Sequence, residues 1–444
     1  MRLRHFLPIP FFLLALYAGW QVGVGYLAEV LVSMGDGAST RARAVEYAPG
    51  DPRVLVARGK YLLFRAETLD PYSGIESLRE AVRRSPTDYR YWLELGRGYE
   101  STGAMAPASR AFHRAIELAP RYFETHWTLA NFHLRQGRIE ESLDRFRSAL
   151  QLSEVGGGRT NPRAALNVYQ ILTGRLGLDP TLLERVTPKD RLGRIALAQF
   201  LLDQGVIDPA LAIMRQEARE DDPPTRALLL NLLGQTQRQA RFGEAREVWH
   251  RLRSLLGRPS FVGASTDDGI ENGGFEKAPL AEELPVLRQS RLGFDWLLDP
   301  HPQVVVRRDD ARPLHGARSL SLLFAIPMES PYEHLSLLAA TTPGKVHRLR
   351  LWVRATQLPV ETPWIEVQNA ARPEDLLAEV ALPRQQEEPR ELSLEFEVPE
   401  TIGAVRLLLR TPAYRTVNSL ERAALWIDEV SLRPLIDERR EVGP

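Results

Sequence analysis

From Tyr91 to Pro120, apolar and small residues recur at helical spacing. Leu95 and Tyr99 lie one turn apart, and Ala108, Phe112 and Ala115 line one face of a following segment. Two short helices are predicted, with Gly96 and Ala108 small enough for close approach and Pro120 ending the second. The spacing returns along the chain. Gly74, Leu78, Ala81 and Pro86 repeat the second helix upstream, and Ala44 with Pro49 end a partial unit that starts near Ser39. Downstream, Leu129, Ala130, Ser142, Phe146 and Ala149 repeat both helices. So do Leu197, Ala198, Leu201, Ala210, Met214 and Ala218, and then Leu232, Leu233, Ala245 and Trp249. Gly156 to Gly158 form a break, and residues 162–189 read as helical but off the pattern. After Gly257 the period changes from helical to alternating. Runs such as QVVVRR, SLSLLFAI, HRLRLWVRA, WIEVQ, ELSLEFEV, AVRLLLR and ALWIDEVSL predict short strands between turns. Leu349, Leu351 and Val353 alternate with Arg350, Trp352 and Arg354, which predicts a buried face and a wet one, with Trp352 outward.

The unit at Tyr91 combines Trp92, Leu95, Gly96 and Tyr99 with Ala108, Phe112, Ala115 and Pro120. It resembles the tetratricopeptide (TPR) repeat, Trp-x2-Leu-Gly-x2-Tyr, Ala-x3-Phe and Pro within about 34 residues. With the degenerate units, a right-handed all-α TPR solenoid is expected over residues 38–257. The resemblance implies that the first helix of each repeat lines a concave groove for a protein segment. Arg90, Arg97, Trp127, Asn131, Arg135, Arg194 and Gln199 would face it. Arginines and a tryptophan beside an amide suit an extended or acidic peptide. The competing reading is that these residues solvate the face or join neighbouring repeats by salt bridges.

Ile270-Glu-Asn-Gly-Gly-Phe-Glu276, then Gly316-Ala-Arg-Ser-Leu-Ser-Leu322, Pro343-Gly344 and Leu425-Trp-Ile-Asp-Glu-Val-Ser-Leu432 follow in order. That order resembles carbohydrate-binding modules of the galactose-binding-like jelly roll, so an all-β sandwich is expected over 270–434. A linker at 258–269 precedes it and a tail at 435–444 follows. The resemblance implies glycan-stacking aromatics, for which Trp352, Trp364 and Tyr414 are the candidates; core packing or an interface with the solenoid is the competing reading for the last two. It also implies a structural calcium held from Glu276 and Asp428, although calcium takes six or more oxygens.

Composition narrows the function classes. Lys+Arg and Asp+Glu both number 57, so no charge excess points to nucleic acid. Cysteine is absent, which excludes disulfides, thiolate metal sites, a cysteine nucleophile and a lipobox anchor. The segment Phe6–Ala28 follows Arg2 and Arg4 and is apolar apart from Gln21, long enough to span a bilayer in residues 1–36. The arginines predict a cytoplasmic N-terminus with the bulk of the chain across the membrane. A cleaved signal peptide is the rival, but the apolar run is long and has no good Ala-x-Ala site. Gly-x4-Gly-Lys-Ser/Thr, His-Glu-x-x-His and Gly-x-Ser-x-Gly are all missing, so no catalytic residue and no cofactor is assigned. His126 and His133 could share a helix face but lack a third ligand.

The combined expectation is a multidomain chain: transmembrane helix, TPR solenoid, jelly-roll sandwich. As a single-pass inner-membrane protein with a periplasmic bulk, it would recruit protein partners in the bacterial envelope. The combination of parts implies surface-polysaccharide or exopolysaccharide assembly or export. Two alternatives remain: a glycan-binding protein whose solenoid is a spacer, and a degenerate hydrolase, which would need two converging carboxylates.

Overall fold

The computed structural model describes residues 13–20, 22–23, 26, 48–64, 69–153, 159–258, 269–324, 328–413 and 423–435. Cα proximity divides the chain into two compact units, Met1–Leu197 and Ala198–Pro444. Residues 13–20 are helical and exposed, and the rest of Phe6–Ala28 lies mostly outside the described residues. Among the described residues, no helix is long and apolar enough to cross a membrane. The start of the expected partial repeat, at Ser39 and Ala44, also lies outside them.

The N-terminal unit is a run of helical pairs: α1 (Pro52–Phe64) with α2 (Pro71–Arg84), α3 (Tyr89–Ser101) with α4 (Met105–Leu118), α5 (Phe123–Arg135) with α6 (Ile139–Leu152), and α7 (Pro162–Leu176) with α8 (Pro180–Val186). It ends within α9 (Arg191–Asp203). Short polar side chains set the starts. Asp70, Asp88, Asn161 and Asp179 each accept a hydrogen bond from a backbone N–H in the first turn they cap, and proline opens α2, α7 and α8. The apolar faces meet inside: Leu93, Ala108, Phe112, Ala115, Leu129 and Phe132 form one cluster, with the Phe112 and Phe132 rings 5.1 Å apart. Gly96 is indispensable to that packing. A Cβ there would sit 2.4 Å from Cε1 of Phe112. The off-pattern segment is the pair α7 and α8. The chain leaves α7 through Gly177 at φ 84°, and α8 is only seven residues long, so no second helix of ordinary repeat length forms.

The C-terminal unit holds the rest of α9, then α10 (Ile207–Glu217), α11 (Pro223–Arg238), α12 (Phe242–Leu255) and the short turns α13 (Leu280–Glu283) and α14 (Pro285–Gln289). Ten strands follow: β1 (Leu297–Leu298), β2 (Val304–Asp309), β3 (Ser319–Phe324), β4 (Tyr332–Ala340), β5 (Val346–Thr356), β6 (Trp364–Asn369), β7 (Leu376–Ala381), β8 (Gln386–Glu397), β9 (Ala404–Thr411) and β10 (Ala423–Pro434). They make two antiparallel five-stranded sheets, ordered β1-β4-β9-β6-β7 and β2-β3-β10-β5-β8. One core lies between the sheets: Leu335, Leu337, Val367, Leu407 and Leu409 of the first meet Leu320, Leu322, Leu349, Leu351, Leu425 and Ile427 of the second. The predicted alternation of β5 is observed, with Leu349, Leu351, Val353 and Ala355 buried. Within this same unit, α11 and α12 pack on the segment that leads into the sandwich. Trp249 of α12 lies against Gly293, whose φ of 103° favours glycine and where a Cβ would come 2.5 Å from the indole. Buried Arg253 of α12 pairs with Glu271.

Candidate functional site

In the N-terminal unit the first helices α3 and α5 carry most of the residues expected to line a groove. The structure spends several of them on intramolecular pairs. Arg90 closes back on its own cap, with Nε and Nη2 donating to Asp88 at 2.9 and 2.6 Å. Arg97 donates to Glu94 at 2.8 Å and to the Thr128 hydroxyl at 3.2 Å. Arg135 forks onto Glu100 at 2.6 and 2.8 Å. The bonds to Thr128 and Glu100 form part of a ladder between neighbouring repeats. Lys60 donates to Glu94 at 3.3 Å, and Arg185 pairs with Glu140. Trp127 is stacked on Phe123, centroids 5.4 Å apart, and meets Phe146 edge-on at 5.6 Å, which ties it to the packing of its own repeat. Arg194 lies in the first turn of α9, and Gln199 farther along donates to the Pro224 carbonyl at 3.3 Å.

Asn131 and Arg135 are brought together. They line a cleft of about 340 Å³ with Leu134 of the same helix and Gln170, Ile171, Gly174 and Arg175 of α7. The composition is mixed by design of the two helices: apolar Leu134 and Ile171 are flanked by two amides and two guanidiniums. The Asn131 amide is held by its bond to the Trp127 carbonyl at 2.9 Å, leaving its side-chain oxygen as an acceptor. Arg135 is neutralised by Glu100, whereas Arg175 is exposed and forms no ion pair with any described residue. Nothing lies within 4 Å of a Cβ placed on Gly174, so the rim beside Arg175 is open. Sequence reasoning missed the α7 side because that helix departs from the repeat spacing. The one available signal was its helical pattern behind an Asn161-Pro162 start.

The two helical histidines have separate surroundings. His126 Nε2 lies 2.9 Å from the Pro120 carbonyl. Buried His133 packs against Phe132 and His113, and desolvation, helped by nearby Arg138, brings its pKa down to about 4.

In the sandwich, Trp352 points to the outer face of β5 and is half-buried, its ring meeting His315 edge-on at 4.6 Å. Trp364 is half-buried on β6, and its indole N–H donates to Glu366 at 2.7 Å. Tyr414 lies outside the described residues. Glu276 and Asp428, expected from opposite ends of the domain, both close on the loop before β3. Glu276 accepts from the Ala317 N–H at 2.8 Å; Asp428 accepts from the His315 N–H at 2.9 Å and the Ser319 hydroxyl at 2.6 Å. Asp428 is fully buried, and desolvation raises its pKa despite those donors. With N–H and O–H donors aimed at them, these carboxylates work as anchors of the 315–319 loop. Among the described residues no three His, Cys, Asp or Glu side chains are grouped to hold a metal ion.

No family model matches the chain. It is similar to the peroxisomal targeting signal receptor of Eremothecium gossypii, 29% identical over 144 residues, which are 31% of this chain and 25% of that protein. The receptor of the same name from Saccharomyces cerevisiae is 27% identical over 105 residues, 24% of this chain and 17% of that one. The chain thus spans a quarter or less of the curated relatives it matches. Among solved structures, yeast Tom70 is 17% identical, with 53% of this chain and 48% of that chain covered at a TM-score of 0.30. A CBM4 structure is 13% identical, covering 37% of this chain and 99% of that one at a TM-score of 0.26. Both scores are low. The described residues form an array of TPR-like helical repeats followed along the chain by two antiparallel β-sheets.

Proposed function

We propose that the chain is a non-catalytic scaffold whose helical repeats hold a segment of a partner protein between α5 and α7. The observation that carries this reading is the cleft of about 340 Å³ in which Arg175 forms no ion pair with any described residue while Leu134 and Ile171 offer apolar contact. A paired guanidinium must give up its partner to bind an acidic group, whereas Arg175 has none to give up. Around it, the salt-bridge ladder fixes neighbouring helices and leaves the groove's shape preorganised.

The finer reading places the scaffold in a bacterial envelope. The apolar run Phe6–Ala28 behind Arg2 and Arg4 supports a single inner-membrane span with the repeats and sandwich on the periplasmic side. The combination of anchor, repeats and glycan-module-like sandwich supports a place in surface-polysaccharide or exopolysaccharide assembly or export. The test compares proteins captured from detergent-solubilised membranes by the full chain and by its Arg175→Glu and Ile171→Asp variants. Loss of the same partners from both variants, with unchanged circular dichroism, is expected. Undiminished capture by both would overturn the assignment of the cleft.

A further inference from the structure

A basic corner lies on the second sheet, on the side turned away from the core. Leu320 and Leu322 of β3, Leu425 and Ile427 of β10, and Val353 and Ala355 of β5 all enter the inter-sheet core. The residues between them, Ser319 and Ser321, Trp426, and Arg354, therefore share the opposite face. The strand register aligns Arg307, Ser321, Trp426 and Arg354 in one row and sets Asp309 opposite Ser319 in the next.

The small serines of β3 leave room for one large side chain. Both are buried, and the Trp426 indole crosses β3 from β10 to β2, where its N–H donates to Asp309 at 2.8 Å. The ring is a floor on which the Arg354 guanidinium lies, 4.4 Å from the ring centroid. Arg354 is fixed a second time by donating to the Arg312 carbonyl at 2.7 Å. Asp309 accepts from the Ala311 N–H at 3.0 Å, which holds the turn that carries Arg312. Both Asp309 oxygens are thus taken by neutral donors. Neighbouring Arg308, Arg348 and Arg350 pair with Glu282, Glu395 and Glu391. Arg307, Arg312 and Arg354 form no ion pair with any described residue, and the first two are exposed. Desolvation, and then the charge of Arg312, work against the Arg354 guanidinium; Asp309 and Glu388 compensate only in part.

We propose that this corner binds a phosphate group, the dianionic end of a phosphate ester. A planar carboxylate is matched by one guanidinium fork, whereas a tetrahedral phosphate offers oxygens to donors arriving from several points. Here the donors arrive from β2, from the turn after it and from β5. Three arginines against one aspartate leave an excess that suits two negative charges. The same group ends free phosphate esters and the phosphatidic acid headgroup, and the test separates those sources. The inference rests on the sandwich alone, so it stands or falls separately from the partner cleft.

The full chain is titrated by calorimetry at about pH 8, where a phosphate monoester is a dianion. The probes are glycerol 3-phosphate, succinate as a dicarboxylate of equal charge, and soluble dihexanoyl phosphatidic acid. Glycerol 3-phosphate is expected to bind about tenfold or more tighter than succinate. Arg354→Gln and Arg312→Gln should each weaken that binding about tenfold, the size of a lost charge-assisted contact. Arg354→Lys, which keeps the charge without the fork, should lose less and guards against misfolding of the glutamine variant. Arg348→Gln, on the same sheet face but already paired, and Arg175→Glu should leave binding unchanged. Tighter binding of the phosphatidic acid, lost in the same variants, assigns the phosphate to a lipid headgroup; equal or weaker binding assigns it to a free ester. Equal binding of succinate, no binding of either phosphate, indifference to both Arg354→Gln and Arg312→Gln, or an equal loss in Arg348→Gln would each overturn the proposal.

Discussion

His334 is the side chain whose chemistry sits least comfortably in its place. It is fully buried at the start of β4, among Phe324, His301 and Tyr332, and neither ring nitrogen has a hydrogen-bond partner. Desolvation and the neighbouring His301 push its pKa down to about 4, so the fold holds the neutral ring. The unfolded chain titrates near the ordinary 6.5. Stability from this residue is therefore fully present above about pH 6.5 and drains away as pH falls toward 4, by roughly 3 kcal/mol at full extent. A buried polar atom without a partner costs about 1–3 kcal/mol at any pH. His334→Leu, similar in volume and without those nitrogens, should then raise stability at pH 7 by about 1 kcal/mol and flatten the acid limb. Urea unfolding at pH 7 and pH 5 measures both. A less stable variant at pH 7, or an unchanged slope between the two pH values, would contradict this account.

At the scale of elements, Gly96 of α3 opposes two tendencies. Alanine is the better helix former by about 1 kcal/mol. Its Cβ would lie 2.4 Å from the Phe112 ring, and overpacking of that kind costs about 1–3 kcal/mol. Gly96→Ala should therefore lower the N-terminal unit's stability by about 1 kcal/mol, read in the same urea experiment; a gain would mean that the ring yields freely. Asp88→Ala, which deletes the cap on Arg90 N–H and its fork to the Arg90 side chain, should cost about 1 kcal/mol. The helices were legible in the sequence because their apolar stripes, caps and prolines agree with one another. The strands were legible only where they alternate. The runs read from sequence fall on β2, β3, β5, β6, β8, β9 and β10, but β4, with its Leu-Ser-Leu-Leu-Ala-Ala run, and β7, a Leu-Leu-Ala-Glu-Val-Ala edge strand, carry no clear two-residue period. Site residues divide along the same line. Asn131 and Arg135 came from a regular repeat, whereas Gln170 and Arg175 sit on a helix that breaks it. Trp364 comes to stand opposite Arg410 through the pairing of β6 with β9, which local sequence does not encode.

For the whole molecule, the division falls inside α9, so repeats that look alike in sequence belong to different compact units. Each unit has its own buried residues: Phe112 and Phe132 in the first, the inter-sheet cluster and Trp249 in the second. Repeat arrays are stabilised by neighbours only, which allows such a chain to lose cooperativity at one boundary. Two heat-absorption steps are expected in calorimetry, and substitutions should sort between them. Gly96→Ala should move one step. Gly293→Ala, which forces a Cβ into a positive-φ position and against Trp249, should lower the other by roughly 2–4 kcal/mol. If either substitution shifts both steps equally, or only one step appears, the chain unfolds as a single cooperative body. A segment bound in the helical cleft would then raise the stability of the sandwich as well, through that common equilibrium.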